Sequence, residues 1–292
     1  MQTRDLIAKV RKIEIKTRKI VEDIAGGAYH SMFKGRGIEF SEVRAYTHGD
    51  DVRDIDWNVT ARMGAPYVKK YVEERELTVM LAVDVSPSTA FGSGADEKRD
   101  VIAEAAALLA FSAIRNNDKV GLLLFSDREE FYLPPKSGRR HVLRLIRELV
   151  AFRPGGQRRT DLNVPLRFLA RTVKKRAAVF LIGDFVDSGD FELSLKLLAR
   201  THDVAAFRVL DPLETALPFR APVQFEDAET SETFFAAAAP EAFAAAAGAR
   251  RSSTDAILRK AKVDSVDLRC GADIVPDLIR FFKSRRLASR RF

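Results

Sequence analysis

Residues 81–94 read LAVDVSPSTAFGSG: an apolar run stops at Asp84 and passes at once into a turn-prone stretch carrying Ser86, Ser88 and Thr89. The preceding residues complete the run LTVMLAVD, whose length and unbroken apolar character predict a strand buried on both faces, as in a parallel sheet. From residue 77 onward such runs alternate with helical stretches. DEKRDVIAEAAALLAFSAIR reads as a helix and DKVGLLLFS as a second strand; EEFYLPP reads as a short strand that its two prolines confine to an edge. Helices are expected at about 141–150 and 162–174, followed by the strand AAVFLIGD, the helix FELSLKLLARTH and the strand DVAAFRVLD. After Asp211 the regularity lapses through a possible hairpin, then returns as an alanine-rich helix, the strand VDSVDLR and a last helix, DIVPDLIRFFKSR. This order predicts an α/β fold: a mostly parallel sheet with helices on both faces, reached through an N-terminal helical and irregular extension.

Three domain-level segments follow. Residues 1–76 form the extension, expected to pack on the main domain; residues 77–285 form the α/β domain; residues 286–292 form a basic tail. Within the extension, Leu6, Val10, Ile13, Thr17, Ile20 and Ile24 recur at helical spacing before Gly26 and Gly27, and no long helix is expected across 28–76.

The composition sets limits on function. The chain has 292 residues, 46% of them hydrophobic and 31% charged, with a formal net charge of +8. That is enough apolar content for a real core, and the mixed charges suit an ordinary solvated surface more than a nucleic-acid footprint. Cys270 is the only cysteine, so neither an intrachain disulfide nor a cage of thiolates is available. The N-terminus has charges every few residues in place of an apolar signal core, and no stretch reaches the ~20 apolar residues of a membrane span. A cytoplasmic protein is therefore expected.

Ligands of an open parallel sheet are met at the carboxyl ends of its strands. Asp84, Ser86, Ser88, Thr160 and Asp184 all fall at such ends, and they offer oxygen alone. A set without imidazole or thiolate suits a hard cation: Mg2+ first, with Mn2+ or Ca2+ as alternatives. Taken singly, Ser86 or Ser88 reads as a helix cap, and Thr160 with Asp161 reads as a helix start. Their coincidence at strand ends favours the metal site. A phosphate-binding GxxxxGK[ST] loop is absent, and GRGIEF is not a full GxGxxG. Ser86 stands where a dehalogenase-type phosphotransfer site needs a second acid. GxSxG is also missing, and none of His30, His48, His141 and His202 is placed to serve as a base.

DVSPS, Thr160 and Asp184 together resemble the metal-ion-dependent adhesion site of von Willebrand factor A domains. The stretch GRGIEFSEVRAYTHGDDVRDIDWNVTAR, with KKYVEERE before the first strand, closely resembles the hallmark of the bacterial domain of unknown function 58 family. The resemblance implies that Ser86, Ser88 and Thr160 coordinate the cation, while Asp84 and Asp184 act directly or through water. It also implies an interaction module that binds an acidic residue of a protein partner, with a MoxR-type AAA+ ATPase or its client as the expected partner. Within the hallmark, Asp50, Asp51, Arg53, Asp54, Asp56, Trp57 and Arg62 read either as a partner surface or as an internal ion-pair network around Trp57. Two other classes stay open: a hydrolase using the same cation to activate water, and nucleic-acid binding through the basic tail.

Overall fold

The computed structural model describes residues 10–11, 13–14, 17, 39–72, 76–94, 96–153, 159–186, 189–218, 220–226, 232–237 and 239–289. Residues 1–32 and 77–292 group into one compact unit and residues 33–76 into another. Of the expected first helix, Val10, Arg11, Ile13, Glu14 and Thr17 are helical, and the rest lies outside the described residues.

In the smaller unit, β1 (Glu39–Ala45) pairs antiparallel with β2 (Tyr67–Val72). Between them lie a 3-10 turn, Val52–Asp54, and the short helix α1 (Trp57–Met63), which stops at Gly64 in the left-handed conformation (φ 73°) that glycine adopts without penalty. The expected irregular segment is thus an ordered strand pair here. Its strands, EFSEVRA and YVKKYV, carry too many charges to read as strands by apolar pattern.

The larger unit follows the predicted alternation. It runs β3 (Thr78–Asp84), α2 (Lys98–Arg115), β4 (Lys119–Phe125), β5 (Glu129–Lys136), α3 (Arg139–Ala151), α4 (Asn163–Thr172), β6 (Ala178–Gly183), α5 (Glu192–Thr201) and β7 (Asp203–Leu210). Next come the one-turn helix α6 (Pro212–Thr215), the hairpin β8 (Pro222–Glu226) and β9 (Thr233–Ala237), then α7 (Pro240–Lys260), β10 (Asp264–Arg269) and α8 (Val275–Ser289). The last helix runs past the expected boundary and takes residues 286–289 of the basic tail with it.

The sheet order is β10-β7-β6-β3-β4-β5, parallel throughout except for β5. This is the von Willebrand A-like α/β arrangement the resemblance implies. β5, with Pro134 and Pro135, is an edge strand as its prolines require. On one face Met80, Ala82, Leu123 and Phe125 pack with Leu166 and Leu169 of α4 and Leu195 and Leu198 of α5. Among the side chains outside that cluster, Phe180 and Phe207 meet Phe281 and Phe282 of α8 edge-on, with ring centroids 5.3–6.4 Å apart.

Packing between strands is tight at Gly121, where a Cβ would lie 2.5 Å from Met80 Sδ and 3.1 Å from the Leu133 carbonyl. Met80 is fully buried and cannot swing into solvent. Gly121→Ala is expected to cost about 1–3 kcal/mol of stability through overpacking, read from the midpoint of urea unfolding.

Candidate metal centre

From β3 the chain steps outward to β4 and β5 on one side, and later to β6, β7 and β10 on the other. The crevice between the carboxyl ends of β3 and β6 is therefore the topological switch point, where open α/β sheets receive ligands. Asp84 ends β3 and Asp184 follows β6, and both are buried. Gly183 permits their approach: a Cβ there would fall 2.7 Å from Asp84 Cβ and 3.1 Å from its Oδ2.

Asp84 is half satisfied. Its Oδ1 accepts the Ser86 N–H at 2.8 Å, while its buried Oδ2 has no hydrogen-bond partner among the described residues. Beyond it the Ser86 and Ser88 hydroxyls lie 2.9 Å apart. Ser86 begins the 3-10 turn Pro87–Ala90 but its side chain makes no capping bond, so capping does not account for the hydroxyl. Thr89 donates its hydroxyl to the Ser86 carbonyl at 2.7 Å and so braces the turn. Thr160, also buried, stands on the loop before α4; the next residue, Asp161, donates its N–H to Ser126 O at 3.2 Å, just past β4. The structure thus places Asp84, Ser86, Ser88 and Asp184 at the β3–β6 crevice, and Thr160 on a loop tied to the neighbouring strand end.

Asp184 is fully engaged. Its Oδ1 accepts the Val186 N–H at 3.1 Å, across a Phe185 held at φ 58°, a conformation that costs a non-glycine residue energy. Its Oδ2 accepts from Lys98 Nζ at 2.8 Å, and the same ammonium donates to Glu214 Oε1 at 2.6 Å. Burial is the largest influence on Asp84; with the negative charge of Asp184 it pushes the carboxyl up to about 7, against the opposing effects of Ser86 and Lys98. For Lys98, burial is again the largest single influence and lowers its pKa, but Asp184 and Glu214 together raise it above the ordinary lysine value. Burial likewise raises Glu214, although Lys98 draws it down.

The donors suit a hard cation. A buried carboxylate oxygen without a partner, next to paired hydroxyls, is what an oxygen-coordinated ion of small radius would use. Beside Asp184, a cavity of about 470 Å3 extends over Phe185, Val186, Phe243 and Ile257 to Glu214.

Lys98 and Glu214 do not emerge from sequence reasoning. One signal was available: a lysine at the first position of a helix opposes the helix dipole and, ahead of an apolar helix, implies a carboxylate partner.

The hallmark residues behave differently from an ion-pair network around Trp57. Asp50 forms a two-pronged pair with Arg44 at 2.6 and 2.8 Å and accepts from Thr47, which holds its carboxyl well below the usual range. Asp51 caps the 3-10 turn by accepting the Arg53 N–H, and Asp56 caps α1 by accepting from Asn58 and Val59. Lys69 lies 3.7 Å from Asp56. Among the described residues the ion pairs of this segment are those of Asp50 with Arg44 and Asp56 with Lys69, and Trp57 is 66% exposed. Asp51 and Asp56 thus shape backbone turns, and Asp50 holds Arg44 and Thr47.

The mostly parallel sheet, with carboxylates and hydroxyls gathered at its switch point, defines a von Willebrand A-like α/β protein. The chain belongs to the family described as protein of unknown function DUF58, whose model matches residues 42–253. An uncharacterized protein of Mycobacterium bovis is 33% identical over 286 residues, spanning 96% of this chain and 90% of its own length. Among solved structures, the conserved hypothetical protein BatB of Bacteroides thetaiotaomicron has a TM-score of 0.51 and 16% identity, covering 72% of this chain and 98% of its own. An aerotolerance-related membrane protein of Bacteroides fragilis gives a TM-score of 0.51 and 17% identity, covering 73% and 99%. This last likeness overturns the cytoplasmic location expected from the sequence, since the same fold is carried by a membrane protein. Among the described residues no helix is long and apolar enough to cross a membrane.

Proposed function

We propose that the chain is a protein-interaction module whose Asp84, Ser86, Ser88, Thr160 and Asp184 hold a divalent cation, Mg2+ before Mn2+ or Ca2+. The observation that carries this reading is the buried Oδ2 of Asp84, which has no hydrogen-bond partner among the described residues, on a carboxylate that the Ser86 hydroxyl influences; that hydroxyl is paired in turn with Ser88. In water that oxygen would be solvated, so its burial is costly unless something positive meets it. Asp84 and the hydroxyls supply inner ligands; Asp184, occupied by Lys98 and Val186, acts through water. Neutral hydroxyls compensate the ion's charge only partly, which leaves attraction for a carboxylate from a partner. The partner is a protein that offers an acidic residue, a MoxR-type AAA+ ATPase or its client.

Neither histidine of the α/β domain stands at the crevice. His141 Nε2 lies 2.8 Å from the Val120 carbonyl and His202 Nδ1 accepts from Ala177, both at the amino ends of strands, opposite the crevice. The test is binding of a purified MoxR-type ATPase in Mg2+, compared with excess chelator and with the Asp84→Ala variant. Loss of binding in both arms, by at least about tenfold, is expected from removal of a charge-bearing contact. Full binding by folded Asp84→Ala, or by the wild-type chain in chelator, overturns the reading.

A further inference from the structure

Lys98 is the one buried lysine among the described residues, with no exposed surface. It opens α2, where the aligned backbone dipoles of the helix already concentrate positive charge. Burial and helix dipole both act against an ammonium there, so its position needs strong compensation. Asp184 and Glu214 provide it at 2.8 and 2.6 Å. Glu214 is in turn fixed by reciprocal capping with Asp211: Asp211 N–H donates to Glu214 Oε2 at 3.2 Å, and Asp211 Oδ1 accepts from Leu213 at 2.9 Å. The other Asp211 oxygen accepts the Ser93 N–H at 2.9 Å, which ties the loop leading into α2 to the same short helix. The ammonium is thus held from both ends.

We propose that Lys98 is a positioning residue: a built-in cation that keeps Asp184 out of the inner shell of the candidate metal centre and limits how tightly a divalent ion binds. The inference rests on the reading that Asp84 and its neighbouring hydroxyls take such an ion. Lys98 occupies the carboxylate oxygen of Asp184 that would otherwise be available, and two positive charges sharing a water-poor crevice repel. A centre weakened in this way is completed by the carboxylate of a partner, so ion and partner bind cooperatively, each raising the affinity for the other.

The experiment is a titration of the full chain with Mn2+, following the free ion by electron paramagnetic resonance. Lys98→Met is expected to bind Mn2+ roughly tenfold or more tightly than wild type, because a repelling charge is gone and Asp184 is released. Lys98→Arg, which keeps the charge, should bind like wild type. If Lys98→Met does not fold, the double variant Lys98→Met/Glu214→Gln, which leaves no stranded carboxylate at position 214, carries the same expectation. A purely structural lysine predicts unchanged or weaker binding in these variants, and either result overturns the inference. Mn2+ binding by Lys98→Met where wild type alone shows none upholds it, because the wild-type centre then needs the partner's carboxylate to hold the ion. Absence of binding in all variants overturns both.

Discussion

In metal-free buffer, Asp84→Asn is expected to become more stable relative to wild type as pH rises from 4 to 8, by on the order of 3–4 kcal/mol. The Asp84 carboxyl is pushed up to about 7 in the folded chain, chiefly by burial and secondly by Asp184. A group raised in this way favours the folded state when protonated. Its contribution is complete below the unfolded value near 4 and is lost as pH climbs through about 7. Asparagine has no charge to bury and so removes this slope. Subtracting the two urea-unfolding curves at each pH isolates the one carboxylate from every other titrating group. A difference that stays flat between pH 4 and 8 would show that Asp84 ionises freely in the crevice. Addition of Mg2+ at pH 8 should then stabilise wild type and leave Asp84→Asn unmoved, since the cation supplies what the orphaned oxygen lacks.

The second large effect lies in the core. Phe207 is fully buried in β7, and its ring meets Phe180, Phe281 and Phe282. Phe207→Ala removes the common partner of the other three and leaves a cavity between sheet and α8. A loss of about 3–5 kcal/mol is expected, measured by chemical unfolding. The hairpin β1–β2 belongs to the other compact unit, so a protease-resistance assay should show residues 39–72 less affected than α8. A loss below about 1 kcal/mol would mean that the aromatic cluster repacks around the gap.

Much of the fold is legible in the sequence because a strand buried on both faces must be apolar along its length, as VMLAV and AAVFLIG are. The edge position of β5 could be read from Pro134 and Pro135 for an equally local reason. The β1–β2 pair could not. Its strands hold Glu39, Glu42, Arg44, Lys69 and Lys70, and a long connection containing α1 separates them, so neither alternation nor a tight turn announces a hairpin. The candidate centre divides along the same line. Asp84, Ser86 and Ser88 are legible because they are adjacent in the chain. Lys98 and Glu214 make one contact across 116 positions, and no local pattern encodes a pairing that only the folded sheet creates. The acids at positions 50, 51 and 56 read from the sequence either as a partner surface or as an internal network; in the fold their oxygens accept from Arg44, Thr47 and nearby backbone N–H groups.

The sheet order has a consequence during synthesis. β3, β4 and β5 leave the ribosome in succession and can pair at once, but β3 keeps one edge open until residues 178–183 arrive to form β6. At about 5–20 residues per second, that wait lasts on the order of 5–20 s for the nearly one hundred residues between them. Throughout it Asp84 ends an unfinished strand, in contact with water and without Asp184. The half-built domain therefore lacks the β3–β6 crevice, and the metal centre proposed for it can form only once β6 is in place.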